Sequence, residues 1–188
     1  MIREIIFSTS NKKGNFHMAP FGITIKGKDL IIAPFRPSRT LDNLLENPVG
    51  VMNYTDDAYL YAALVVGKGK YKVSPAKKIK GFVLKGTLAH SEVRVTRIKD
   101  DSTRPRLYLK KIYEKTHKPF QGFNRAQSAI IETSVLISRL GILPLGEISK
   151  QIAIHKSCVD KTAGPRELAA WKLLMNRFNQ FIKKRKKK

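Results

Sequence analysis

Apolar and polar residues alternate along the first part of the chain, and the spacing becomes helical along the last third. Residues 2–8 are apolar and β-branched, and residues 15–25 are strand-like. Gly27-Lys28 supplies a tight turn from which residues 29–35 return, and Pro34 and Pro37 stop that strand. Thr40 is a candidate N-cap, and Leu41, Leu44 and Leu45 make the apolar face of a short helix that ends near Asn47-Pro48. Residues 49–54 predict another strand, and Thr55-Asp56-Asp57 can cap a second short helix through Leu64. Residues 81–98 alternate throughout (Val83, Thr87, Ala89, Val93, Val95), as do residues 107–113. Lys99-Asp100-Asp101-Ser102 joins the two as a turn-rich loop.

The pattern changes near Phe123. Ala126, Ala129, Ile130, Thr133 and Ile137 lie on one helical face through Leu140, with Gly141 as the stop. Residues 145–158 and 165–182 predict two more helices, the last with Pro165 at its first position. There is no internal repeat and no Gly/Ser linker. The reading is α+β: a small antiparallel barrel over residues 1–122, a helical portion over 123–182 packed on it, and a disordered basic tail over 183–188.

Composition sharpens this picture in two ways. The chain has 188 residues, 42% of them hydrophobic and 27% charged, which suits a folded chain of this size. It also carries 37 Lys and Arg against 14 Asp and Glu, a formal charge of +23 that attracts anions of any kind. No apolar run approaches the roughly 18 residues of a membrane helix. The opening strand carries Arg3 and Glu4 in place of a secretory n-region and h-region, so a cytoplasmic location is expected. The single cysteine, Cys158, fits a packed helix thiol in a reducing compartment.

Candidate chemistry is sparse. No Gly-rich phosphate loop, metal-ligand spacing or nucleophile elbow is present, and His17, His90, His117 and His155 are scattered. Asp56 and Asp57 are adjacent and fit helix capping better than acid–base work. Two segments stand out. In Asn15-Phe16-His17-Met18-Ala19-Pro20-Phe21-Gly22, a mid-strand proline demands an edge or a bulge, and small residues leave room for a flat group. In Arg36-Pro37-Ser38-Arg39-Thr40, guanidinium groups and hydroxyls precede a helix N-terminus, which is phosphate-site chemistry or plain capping.

These segments, with Val-Met-Asn-Tyr-Thr-Asp-Asp at 51–57 and Phe123-Asn124-Arg125-Ala126 with Ile131-Glu132, resemble the FMN-binding split-barrel proteins related to flavin reductases. Within that group the pattern is similar to an uncharacterised family of archaea and of methylotrophic and related bacteria, and the resemblance extends to about Phe178. It implies a split β-barrel followed by C-terminal helices, forming a homodimer with FMN near the interface. Asn15, His17, Met18, Ala19 and Pro20 would line the isoalloxazine. Arg36, Ser38 and Thr40 would hold the phosphate, Asn53 and Thr55 would sit at the flavin or ribityl edge, and Asn124 and Arg125 would reach the phosphate or the partner subunit. No catalytic residue is assigned.

If FMN binds, the protein is either an oxidoreductase passing hydride through flavin N5 or a non-catalytic carrier or sensor. A reading of a different class is a barrel that binds single-stranded nucleic acid through its basic surface and through Tyr54, Tyr59 and Tyr61, with an affinity that collapses in salt.

Overall fold

The computed structural model describes residues 1–186 and divides into two compact units. The first comprises Met1–Thr55 and Tyr71–Phe120, and the second Asp56–Lys70 and all described residues from Gln121 onward. The sequence boundary near residue 122 marks only the last of three crossings between them. The short helix after Asp57 groups with the C-terminal helices, not with the barrel.

The first unit holds β1 (Ile2–Ser10), β2 (Phe16–Lys26), β3 (Asp29–Ile32), α1 (Arg39–Glu46), β4 (Val49–Tyr54), β5 (Val73–Pro75), β6 (Phe82–Leu84), β7 (Ala89–Lys99) and β8 (Arg106–Thr116), numbered through both units in chain order. Six strands close an antiparallel barrel in the order β1-β2-β3-β8-β7-β4, and β5 and β6 form a separate hairpin. Residues 81–98, which alternate as one strand in sequence, are divided at Gly86, whose φ of 89° turns the chain between β6 and β7. The barrel interior is filled from alternate positions: Ile5 and Phe7 on β1, Ile23 on β2, Met52 on β4, Val93 on β7, and Leu107 and Leu109 on β8.

Helix α1 closes this core. Leu41 and Leu44, each 1% exposed, join the interior cluster. The N-cap is Ser38, not Thr40, and Leu45 points outward with 54% exposure. Thr40 and Asn43 take the inner positions instead. Asn43 donates to Thr9 Oγ1 at 3.0 Å, which ties the helix to β1.

Two close approaches fix the wall. Gly50 on β4 lies under the ring of Phe7: a Cβ there would fall 2.6 Å from Phe7 Cζ and 3.0 Å from the Ser8 carbonyl oxygen. Gly50→Ala is therefore expected to lower stability by about 1–3 kcal/mol through overpacking, read as a shifted denaturant midpoint at unchanged slope. On the outside of β1, β4 and β7, a polar row binds the β5–β6 hairpin. Ser8 Oγ donates to the Phe82 carbonyl at 2.6 Å, and Ser10 Oγ to the Lys80 carbonyl at 3.4 Å. The Glu92 carboxylate accepts from the Lys77 and Lys78 amides at 2.6 and 2.7 Å.

The wall also has a slot. β3 pairs with β2 only at Thr24, Ile25 and Lys26, and with β8 only at Leu107, Tyr108 and Leu109. Residues 16–23 of β2 thus have β1 as their one strand neighbour among the described residues. Pro20, which has no amide to donate, sits on this one-sided stretch, as its chemistry requires.

The second unit holds α2 (Ala58–Val65), α3 (Arg125–Ser138), α4 (Leu145–Thr162) and α5 (Pro165–Lys186). Its core is rich in small residues: Ala58, Ala62, Ala126, Ala129 and Ala170 meet Ile130, Ile148, Leu174 and Phe178. Asp57 caps α2 by accepting from the Tyr59 amide, and it pairs with Arg166, whose guanidinium also lies 4.6 Å from the Tyr59 ring centroid. The tail expected to be disordered over 183–188 is helical through Lys186; Lys187 and Lys188 lie outside the described residues. No helix among the described residues is long and apolar enough to cross a membrane.

Candidate functional site

The strongest candidate site in the barrel unit lies where the N-terminus of α1 meets β2. α1 begins after Ser38, whose hydroxyl accepts from the Leu41 amide at 3.4 Å and whose carbonyl accepts from the Asp42 amide at 3.0 Å. The Arg39 and Thr40 amides have no partner among the described residues and carry the positive end of the helix dipole. The Thr40 side chain is 1% exposed, and its hydroxyl makes no hydrogen bond among the described residues. Arg39 is exposed and has no carboxylate partner among them. Its charge instead acts on His17: burial, then the Arg39 guanidinium, hold the imidazole below its ordinary pKa. Amides, hydroxyls and an uncommitted guanidinium on one helix terminus form the donor set that a phosphate dianion requires.

The remaining expected residues divide clearly. His17, Met18, Ala19 and Pro20 follow one another along the slotted part of β2, opposite Thr9, Ser8, Phe7 and Ile6 of β1. Met18 is 3% exposed, and its neighbours in this stretch are half-buried. Asn15 lies outside the strand, in the β1–β2 turn, where its amide donates to Asn11 Oδ1 at 2.9 Å. Arg36 is already engaged: it donates to Asp100 Oδ1 at 2.8 Å and to the Asp101 carbonyl at 3.2 Å. Arg39, passed over in the sequence in favour of Arg36, is the guanidinium left available.

Asn53 faces no opening. It is wholly buried and donates to the Ile6 carbonyl at 3.1 Å and to Ser8 Oγ at 3.2 Å, while its Oδ1 accepts from the Leu84 amide at 2.8 Å. The side chain expected at a flavin edge is thus occupied within the wall, where its amide fastens β1, β4 and β6 together. Thr55 is half-buried at the end of the barrel unit. Asn124 and Arg125 belong to the helical unit. Asn124 caps α3 by accepting from the Ala126 and Gln127 amides and donates to the Thr162 carbonyl at 2.9 Å, so its side chain is occupied. Arg125 is exposed.

The aromatic residues expected on a nucleic-acid surface are not free rings. Tyr61 is 2% exposed, Tyr54 hydrogen-bonds Ser91 at 2.9 Å, and Tyr59 is covered by Arg166. The scattered histidines include a pair that the sequence conceals. β7 and β8 bring His90 Nδ1 to 2.8 Å from His117 Nε2. No group of three or more metal-ligating side chains occurs among the described residues.

No curated protein matches the chain. Among solved structures, an FMN-bound protein of Methanosarcina mazei assigned to the DUF447 family is 22% identical with a TM-score of 0.82, over 94% of each chain. The 2-nitrobenzoate 2-nitroreductase of Pseudomonas fluorescens is 18% identical with a TM-score of 0.54, over 61% of this chain and 65% of that one. A putative flavin reductase of Haemophilus somnus is 15% identical with a TM-score of 0.51, over 64% of this chain and 82% of that one. The fold is therefore the split barrel of the flavin-reductase type, elaborated with helices. Residues 3–118 match the N-terminal domain, and residues 124–176 the second segment, of the family described as protein of unknown function DUF447, and the chain belongs to that family.

Proposed function

We propose that the barrel unit binds FMN, with the phosphate on the N-terminus of α1 and the ring along the slotted edge of β2. The observation that carries this reading is the uncommitted donor set of Ser38, Arg39 and Thr40 beside His17. The FMN-bound family member that matches 94% of each chain supports it. In this reading Arg39 gives a charge-assisted contact, the Arg39 and Thr40 amides cradle phosphate oxygens, and Thr40 completes its hydroxyl pairing. Met18, Ala19 and Pro20 offer a flat, largely apolar wall, and the unpaired β2 backbone offers amides and carbonyls to a heteroaromatic edge. A second copy of the chain would cover the slot, making a homodimer with the cofactor near the interface.

FMN would supply hydride transfer through its N5. The residues of this chain would bind and orient it, and His17, kept neutral near pH 7, could hold a hydrogen bond without adding charge beside the ring. An oxidoreductase with an unassigned second substrate follows if that substrate reaches the slot, and a carrier or sensor follows if it does not. The test is a visible absorption spectrum after loading with FMN and desalting. Retained flavin bands are the expected result, and a colourless protein would remove the reading.

A second reading rests on a different surface. On the outer face of the β7–β8 ribbon, Arg94 stands opposite Lys110, Arg97 opposite Tyr108 and Lys99 opposite Arg106, and the Arg97 guanidinium lies 3.8 Å from the Tyr108 ring centroid. Directly opposed like charges repel unless a polyanion screens them. Single-strand binding there would weaken steeply with salt, whereas FMN held by directed bonds would not.

A further inference from the structure

We propose that the cleft between β7, β8 and the β5 end of the hairpin binds a small phosphate-bearing anion, taking up one proton on His117 as it does so. The cleft is about 190 Å³ in volume, and Ser74, Lys77, His90, Tyr113, Lys115 and His117 contribute its polar lining. Hydroxyls, ammonium groups and imidazoles line it, and no carboxylate does. It is a site distinct from the N-terminus of α1 and does not depend on flavin binding.

Three observations make it a built site. His90 is 4% exposed, and its Nε2 is buried and makes no hydrogen bond, with the Glu92 carboxylate 3.6 Å away as its nearest acid. The neighbouring rings lie nearly parallel, 15° apart with centroids at 5.0 Å, and Nδ1 of His90 faces Nε2 of His117 at 2.8 Å, so one ring N–H lies in that contact. The nearby cations also lack anions: the Lys77 ammonium lies over the Tyr113 ring at 5.2 Å from its centroid, and Lys115 has no carboxylate partner among the described residues.

The surrounding charges set the direction of proton coupling. The nearest acids are already engaged. Glu92, behind His90 at 3.6 Å from Nε2, accepts from the Lys77 and Lys78 amides, and Glu114 on β8 is held by Lys111 and Ser91 at 2.5 Å each. On β4 the residue opposite His90 is the neutral Asn53. His117 is held below its ordinary pKa by burial, then by His90 and Lys115, so it is neutral near pH 7. An anion between the pair and the two lysines reverses the sign of that field. His117 then gains one proton from solution, and the bound form of the phosphate is the dianion. Affinity for the phosphate dianion should therefore rise as pH falls through the His117 titration, by up to about tenfold per pH unit.

The experiment follows the His117 ring resonances by NMR while inorganic phosphate is added to the FMN-saturated protein at constant ionic strength, with chloride as the control. The expected result is a saturating shift, with the His117 titration midpoint raised by about one unit or more. Lys115→Ala should weaken binding, and His117→Gln, at an exposed position that leaves the barrel core intact, should remove its pH dependence. A phosphate response no different from that of chloride would overturn the site. So would undiminished, equally pH-dependent binding in both variants, or a response that FMN saturation abolishes, since that would place the phosphate at α1.

Discussion

Asn53→Leu is expected to be among the most destabilising single substitutions in the barrel, lowering unfolding free energy by about 3–5 kcal/mol against typical totals of about 5–15. Leucine is close to asparagine in bulk, so the loss comes from stranded polar groups and not from a cavity. The Leu84 amide loses its 2.8 Å acceptor, and the Ile6 carbonyl and Ser8 hydroxyl lose donors at 3.1 and 3.2 Å. Each buried group left without a partner costs about 1–3 kcal/mol. Chemical denaturation of the full chain, followed by far-UV circular dichroism, measures it. Ser8→Ala is the graded control: it frees the Phe82 carbonyl but leaves the Asn53 bonds to Ile6 and Leu84 in place, so its cost should be well under half as large. Equal stability of Asn53→Leu and the parent would mean that the hairpin is fastened to the wall by something other than this amide.

Arg39→Ala is expected to weaken FMN binding by about 10- to 100-fold, and Arg36→Ala by less than about threefold. The two arginines lie three positions apart at the start of the same helix, so sequence alone ranks them together. Their environments separate them. Arg36 already has Asp100 and the Asp101 carbonyl, whereas Arg39 has no acid partner among the described residues and acts on His17. Fluorescence titration with FMN gives both affinities. An independent readout is His17 itself: loss of the Arg39 charge should move its imidazole back toward the ordinary histidine value, while the burial contribution persists. The sign for stability follows. With its folded pKa depressed, His17 favours the native state when neutral, and that contribution is lost as pH falls through the ordinary histidine range. A larger loss for Arg36→Ala than for Arg39→Ala would reverse the assignment of the phosphate contacts.

Much of the architecture was legible in the chain. Alternation located β1, β2, β3, β4, β7 and β8, because each has one face on the barrel core. Pro20 signalled a one-sided strand because proline cannot complete a ladder on both sides. The short β5 was not legible: three residues carry no usable period, and its partner β6 is separated from β7 only by the turn at Gly86. The cap is Ser38, two residues before Thr40, since both are good caps and only backbone geometry distinguishes them.

The site was less legible than the fold. Arg36, Ser38 and Thr40 point to the N-terminus of α1, but which guanidinium lacks an acid partner depends on Asp100, 64 positions from Arg36. Asn53 read as a binding residue because a polar side chain in a strand has two common uses, and only its position opposite Ile6 reveals the fastening role. The His90–His117 pair was recoverable in principle. A hairpin turning at residues 100–105 places position 90 opposite 115 and position 89 opposite 116, close enough to bring 117 within reach once the two register shifts are allowed.

The polar row that binds the β5–β6 hairpin has an evolutionary corollary. Ser8, Ser10, Asn53 and Glu92 all address main-chain atoms of the segment they hold: the carbonyls of Phe82 and Lys80 and the amides of Leu84, Lys77 and Lys78. Main-chain atoms are the same for every residue except proline. The wall therefore constrains the path of this strap while leaving the identity of its side chains largely open. Lys77, Lys78 and Lys80 can drift, or be selected for a different ligand, without loosening the barrel. The strict requirement falls on the four residues that grip, so related chains could vary what this face recognises while retaining one scaffold beneath it.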